Sequence, residues 1–197
     1  MRPGLVVQHT QLPNRSSGLV RSDIAGIIGF IEKKLWPKDA VAGDFVEIYL
    51  RRIHDFWEHP DRGLFDAPTQ RAVRGFFENG GDIAHVFGVC IDSAESIRLP
   101  SGISGVLTPT FDRLRAEEDI ALLFAPSAAY MRCQVDADGG VRADVEALYD
   151  ELLAHCREMN NRFLIMDAPR GLHEGLLERW VRGFRSRHPE NRAFGAI

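Results

Sequence analysis

Two groups of residues have types and spacing that chemistry can use. His54, Glu58, His59 and Asp61 lie close together, and His54 and Glu58 are four apart, which sets both on one face of a helix. A metal site needs three or four converging ligands with supporting groups behind them. His59 and Asp61 instead flank Pro60 in what reads as a turn, so the set reads as solvated turn residues. The second group centres on Asp167, which ends the apolar run Arg162–Met166. Strand ends in parallel sheets often carry active-site groups. Asp167 is equally placed to pair with Arg170 or to cap a following helix.

Other candidates fail on geometry. His155 and Cys156 are adjacent, so on a helix they point about 100° apart and cannot work as a pair. Cys156 falls on an apolar stripe and reads as a small buried hydrophobe. Gly80-Gly81 follows a helical pattern and reads as its stop, whereas a phosphate-binding glycine loop precedes a helix. Asp167-Ala168-Pro169-Arg170-Gly171 matches neither a Walker loop nor a dinucleotide fingerprint. Ser16-Ser17 and Ser101 lack a nucleophile elbow. The sequence holds no coherent catalytic set, so we expect no enzyme, no metal and no cofactor. A small α/β enzyme built on Asp167 is the alternative.

The elements that would position these residues alternate. Ile24-Ala25-Gly26-Ile27-Ile28-Gly29-Phe30 is β-branched and glycine-bearing, as in a buried strand with other elements packed close. Phe45, Ile48, Tyr49, Arg52 and Ile53 are near helical spacing, which predicts a helix over 44–56. A helix beginning near Pro68, capped by Asp66 and stopped by Asn79-Gly80-Gly81, carries Ala72, Val73, Phe76 and Phe77 on one face. Phe76, Phe77, Leu148, Leu152, Trp180 and Phe184 are expected to be buried against the sheet. Ile83–Ile91 is a continuous apolar run, expected of a strand covered on both faces. A helix over 111–117, strands over 120–124 and 162–166, and helices carrying Val145 to Cys156 and Leu172 to Phe184 complete the pattern. Such alternation predicts an α/β fold: a mostly parallel or mixed sheet flanked by helices on both faces.

Residues 1–21 differ. Pro3, Gly4, Pro13, Asn14, Ser16, Ser17 and Gly18 break them up, and Leu5-Val6-Val7 is an apolar run with no local partner. We read 1–21 as an extended N-terminal arm and 22–197 as the core. The terminal Ala193–Ile197 looks like a strand just begun, so the chain reads as truncated at its C-terminus.

Composition excludes several partners. The 197 residues are 45% hydrophobic and 26% charged, with a net charge of -4. There is no concentrated basic face for nucleic acid; only three of the 24 basic residues are lysines, at 33, 34 and 38. No apolar run reaches the length of a membrane span, and the start lacks a signal peptide's apolar core. The three scattered cysteines suit reduced thiols. Synthesis in the cytoplasm is expected.

Five stretches, in order, resemble contractile phage tail-sheath proteins. They are Pro3–Val7, Ser22–Gly29, Ala72–Gly81 with the strand after it, Asp119–Pro126, and Leu152–Cys156 with Arg162–Pro169. The family includes sheaths of phages and of phage-derived contractile injection systems. The resemblance implies a structural subunit that assembles with copies of itself in stacked rings around an inner tail tube protein, above baseplate components. It implies that Gly4, Leu5, Val6 and Val7 form an inter-subunit strand added to a neighbour's open sheet edge. A frayed terminus or an intramolecular edge strand is the alternative for those residues, and a non-assembling prophage remnant is the alternative for the whole chain.

Overall fold

A computed structural model describes residues 23–36, 39–92, 100–136, 141–187, 189 and 194–196. The N-terminal arm, with Gly4, Leu5, Val6 and Val7, lies outside the described residues.

Apolar strands and amphipathic helices alternate along the chain. The strands are β1 (Ile24–Glu32), β2 (Phe45–Leu50), β3 (Ile83–Ile91), β4 (Leu122–Phe124), β5 (Cys133–Val135), β6 (Val141–Ala143), β7 (Phe163–Ile165) and β8 (Gly195–Ala196). The helices are α1 (Ile53–Glu58), α2 (Ala67–Glu78), α3 (Pro100–Arg115), α4 (Val145–Met159) and α5 (Glu174–Arg187). Six strands form one mixed sheet in the order β2-β3-β1-β4-β7-β8, and β5 and β6 form a separate hairpin. All neighbours in the large sheet are parallel except β2, which runs antiparallel along the outer side of β3. The expected α/β class, with helices on both faces, is what the chain adopts.

β1 and β3 pair over nine residues, from Ile24 opposite Ile83 to Glu32 opposite Ile91. They are almost wholly buried, as continuous apolar runs must be when helices lie on both sides. Gly29 of β1 sits opposite Gly88 of β3. A side-chain carbon on Gly29 would lie 2.8 Å from the Thr69 hydroxyl, and one on Gly88 would lie 3.0 Å from the Phe65 ring. The two glycines therefore let the start of α2 settle directly on strand backbone.

The two faces are covered differently. On one, α3, α4 and α5 bury Ile28, Phe87, Leu123 and Leu164 of the sheet under Leu107, Leu148, Leu152, Trp180 and Phe184. Each such side chain contributes roughly 1.5–3 kcal/mol on full burial. On the other, α1, α2 and the turn between them cover Ile27, Ile31, Ile48, Leu50 and Val86, with Leu122 and Phe124 of β4 half-buried at the edge of the same cluster. Topology explains this. The chain steps from β1 outward to β3 over one face, then returns past β1 and proceeds through β4, β7 and β8 with every crossover helix on the opposite face.

Three expectations are corrected. Residues 44–56 are not one helix: Phe45–Leu50 is the antiparallel edge strand, and only Ile53–Glu58 is helical. The same segment also alternates, with Ile48 and Leu50 buried and Tyr49 exposed, and the open side of β3 favours the two-residue period. The helix expected at 111–117 begins at Pro100. Serines, glycines and Pro109 disguise it, yet Val106, Leu107, Thr110, Phe111 and Leu114 are buried at helical intervals. Phe76 and Phe77 are only half-buried. Val73 and Thr69 point at the sheet, and at about 100° per residue Phe76 and Phe77 splay to either side of that line. Leu148, Leu152, Trp180 and Phe184 are buried as expected.

Candidate functional site

Between α2 and strands β4 and β7 lies a groove of about 840 Å³. Its floor is Leu122 and Phe124 of β4 and Ile165 of β7. Ile165 is 42% exposed, whereas Leu164 beside it is fully buried under the opposite helices. One wall is a full stripe of α2: Pro68, Arg71, Ala72, Gly75, Phe76 and Asn79, at helical spacing. Gly75 is open, since a side-chain carbon there would meet nothing within 4 Å.

The groove has two chemically distinct ends. α2 runs antiparallel to the parallel strands. Asp66, its N-cap, accepts from Thr69 N–H and from the Ser127 hydroxyl at 2.7 Å, just beyond the C-terminal end of β4. The helix stops at Gly80 (φ 90°), and the following Asp82 N–H donates to the carbonyl of Asp23, just before β1. Past the C-terminal strand ends lie Arg71, Tyr130, Asp167 and Arg170. Arg71 donates to the Tyr130 hydroxyl at 2.8 Å, and the Arg170 guanidinium sits 4.1 Å over the Tyr130 ring. Neither guanidinium meets a carboxylate within ion-pair distance among the described residues. At the other end lie Asp23, Asn79, Gly80 and Gly81.

Asp167 is therefore at a strand end, as read from the sequence, and it faces the groove. Its surroundings withdraw water and hold its carboxyl above the usual carboxylate range, while Arg170 opposes the shift. Its backbone carbonyl accepts from the Tyr149 hydroxyl at 2.6 Å, which ties the loop to α4.

The other sequence candidates do not converge. His54 Nε2 pairs with Glu58 at 2.9 Å on the exposed side of α1. His59 Nδ1 accepts the Asp61 N–H as a helix cap. Cys156 is buried and its thiol is pushed up to about 12 by desolvation, which leaves it inert as a nucleophile. His155, one position away, is also buried. It stacks on Phe111 at 4.8 Å and accepts from Arg162 Nη1 at 2.9 Å.

A cluster with no signal in the sequence joins Glu47 of β2, His85 of β3 and Glu117 after α3. Their ligand atoms lie within 4.8 Å of one another. Arg113 fills the space between them: it donates to both Glu47 oxygens, at 2.6 and 3.1 Å, and pairs with Glu117. His85 Nδ1 bonds to Glu47 at 2.9 Å. A guanidinium thus supplies the positive charge a metal would bring, and the cluster ties β2 to α3.

No protein-family model matches the chain, and no curated protein matches it. Among solved structures, it is similar to a chain in the cryo-EM structure of the anti-feeding prophage baseplate in its contracted state. The TM-score is 0.45 and the identity 20%, over 86% of this chain and 40% of that one. The chain thus spans 40% of the length of the solved chain it matches. Among the described residues, no helix is long and apolar enough to cross a membrane.

Proposed function

We propose that the chain is a structural subunit of a contractile phage-tail-like assembly, of the tail-sheath type, and not an enzyme. One observation carries the reading. The stretches that resemble sheath proteins supply β1, α2 with β3, β4 and β7, which are neighbours in one sheet, so the resemblance falls on one contiguous part of the fold. In the proposed particle, rings of this subunit stack around an inner tube above a baseplate, and the 1–21 arm adds a strand through Gly4–Val7 to a neighbour. β2, the antiparallel outer strand of the sheet, is a suitable acceptor.

The test is assembly. The longest reading frame containing the chain, expressed alone and with an inner-tube protein of a contractile system, should give rings or tubes in electron micrographs. Deletion of residues 2–18 should abolish them while leaving the circular dichroism spectrum unchanged. Dispersed particles from the full frame, or normal tubes after the deletion, would reject the reading.

A second reading has one observation behind it: Asp167, with its carboxyl shifted upward, lies in a groove with Tyr130 and Arg170. The groove floor is apolar, and the Tyr130 hydroxyl already accepts from Arg71. Asp167→Asn separates the two readings, because it leaves assembly unchanged and removes any chemistry that depends on the carboxyl.

A further inference from the structure

The turn that ends α3 is held from outside its own helix. Arg162, just before β7, donates to the carbonyls of Leu114 at 3.0 Å and Glu117 at 2.8 Å, and Asn161 beside it donates to the carbonyl of Glu118 at 2.7 Å. Arg115, Ala116, Glu118 and Asp119 are exposed, so this stretch can lift without unpacking the sheet. Arg162 is held in turn by His155. Its Nη1 donates to His155 Nε2 at 2.9 Å, and the two residues are 4% and 2% exposed. That contact works in one protonation state. A guanidinium has donors and no acceptor, so Nε2 must carry a free lone pair. A proton there sets two donors face to face and places a second positive charge beside a buried first. The other ring nitrogen gives no relief, because Nδ1 is buried and has no hydrogen-bond partner among the described residues.

The surrounding charges do not rescue an imidazolium. Arg115 acts on the ring from α3 in the same direction as Arg162. Glu158 of α4 opposes both, yet its two oxygens are already held by Arg115 at 2.9 Å. Along α4, Glu151 stands one turn before His155 and Arg157 two residues after it, charges of opposite sign. In the turn itself Glu117 is paired with Arg113, and Glu118 and Asp119 are exposed. Burial keeps the Cys156 thiol neutral.

We infer that the His155–Arg162 pair is an acid-sensitive latch on the end of α3: a proton taken from solvent by His155 dislodges Arg162, and the turn from Leu114 to Glu118 opens while the strands stay paired. The closed turn refuses a proton that the open turn accepts, so opening grows as pH falls. The same turn adjoins Arg113, which holds Glu47 of β2 at 2.6 Å, so the outer strand of the sheet is the next element the opening slackens. The inference concerns the free chain and does not depend on the assembly reading.

The experiment is amide hydrogen exchange of the full 197-residue chain at pH 7 and pH 5, corrected for the intrinsic pH dependence of exchange. With the imidazole near 6.5 in the open turn and about 4 in the closed one, the open population should rise about twentyfold between these conditions. The amides of Leu114, Arg115, Ala116 and Glu117 should lose protection by that factor, and those of β1 and β3 should not. His155→Gln keeps an oxygen that can accept from Arg162 and cannot titrate, so its turn should stay within about twofold. His85 and the carboxylates are common to both proteins, so their titration cancels. Unchanged protection in the parent overturns the inference. So does an equal loss in His155→Gln, which would assign the effect to another group, or an equal loss in β1 and β3, which would make it unfolding of the whole domain. Imidazole ¹⁵N shifts of the parent add a test that needs no variant. His155 should stay neutral, protonated on Nδ1, down to pH 5, and a titration midpoint near 6.5 overturns the latch.

Discussion

The two faces of the sheet use similar residues to opposite ends. Under the closed face, Arg162 is 4% exposed. It donates to the carbonyls of Leu114 at 3.0 Å and Glu117 at 2.8 Å, to Asn161 Oδ1 and to His155 Nε2. On the open face, the Arg71 guanidinium donates to the exposed Tyr130 hydroxyl, and that of Arg170 lies over the Tyr130 ring and near Asp167. The first arginine completes the C-terminal end of α3, where free carbonyls and the helix dipole favour a cation. The second pair leaves donors facing solvent. Burial with four of its five donors matched marks a structural arginine, and exposure beside the groove marks one with donors still open to solvent. The comparison can be broken by substitution.

Arg162 should give the largest effect. Arg162→Met keeps much of the volume but leaves His155 Nε2 without a donor and takes one donor from each of the Leu114 and Glu117 carbonyls, which keep the N–H groups of Glu117 and Ile120. The orphaned buried nitrogen costs about 1–3 kcal/mol and each lost carbonyl bond about 0.5–1.5 kcal/mol, so a loss of roughly 2–5 kcal/mol is expected. Urea denaturation measures it. A loss below about 1 kcal/mol would mean that water reaches these carbonyls and that the face is not closed.

His155 adds a pH signature to the same face. Because Arg162 can only donate, His155 Nε2 accepts and the ring is neutral, with its proton on Nδ1. Desolvation first, then Arg162 and Arg115, hold its pKa at about 4 against an unperturbed 6.5, with Glu158 opposing. The folded pKa is depressed. Between about pH 6.5 and 4 the unfolded chain therefore takes up a proton that the folded chain refuses, and stability falls as pH falls. The full effect is up to roughly 3 kcal/mol, with roughly 1.5 kcal/mol lost between pH 6.5 and 5. Denaturation curves at pH 7, 6 and 5, set against His155→Gln, should show the extra slope in the parent only. Parallel curves would place a charged, solvated imidazole at 155.

Much of the closed face was legible from sequence, and on the open one α2 was. β1, β3, β7, α2, α4 and α5 follow from apolar runs, helical stripes, the Asp66 cap and the Asn79-Gly80-Gly81 stop, because those signals are local. Asp167 at a strand end was legible for the same reason. The groove was not. It arises because every crossover from β3 onward lies on one side, and handedness and strand order carry no mark in the residues themselves. The α2 stripe from Pro68 to Asn79 mixes arginine, alanine, glycine and phenylalanine, so its pattern resembles neither a core face nor a solvated one. The Glu47–His85–Arg113–Glu117 cluster joins two strands and a helix end far apart in the chain. Only an antiparallel β2 brings Glu47 to His85, and helical spacing concealed that strand.

Phe77 tests the boundary between the faces. It is half-buried and meets Phe76 edge-on, with ring centres 5.3 Å apart. Full burial would make Phe77→Ala cost about 3–5 kcal/mol, and partial burial lowers the expected loss to roughly 1–2 kcal/mol. Thermal and urea unfolding of Phe77→Ala decide between these. A loss near 4 kcal/mol would mean that α2 is rotated to drive Phe77 onto the sheet, which would turn its groove stripe away from β4.

The smallest expected effect on stability is the most informative about the open face. Leu164 and Ile165 are neighbours in β7 and, by the alternation of a strand, face opposite sides. Leu164 is fully buried beneath α4, and Ile165 is exposed over the groove. Leu164→Ser removes a buried side chain and sets a hydroxyl among apolar atoms, so several kcal/mol should be lost. Ile165→Ser removes an already hydrated side chain, so stability should stay within about 0.5 kcal/mol of the parent. Paired urea titrations of the two variants give the stability difference. If Ile165→Ser destabilises as much as Leu164→Ser, a segment of the chain itself covers the groove.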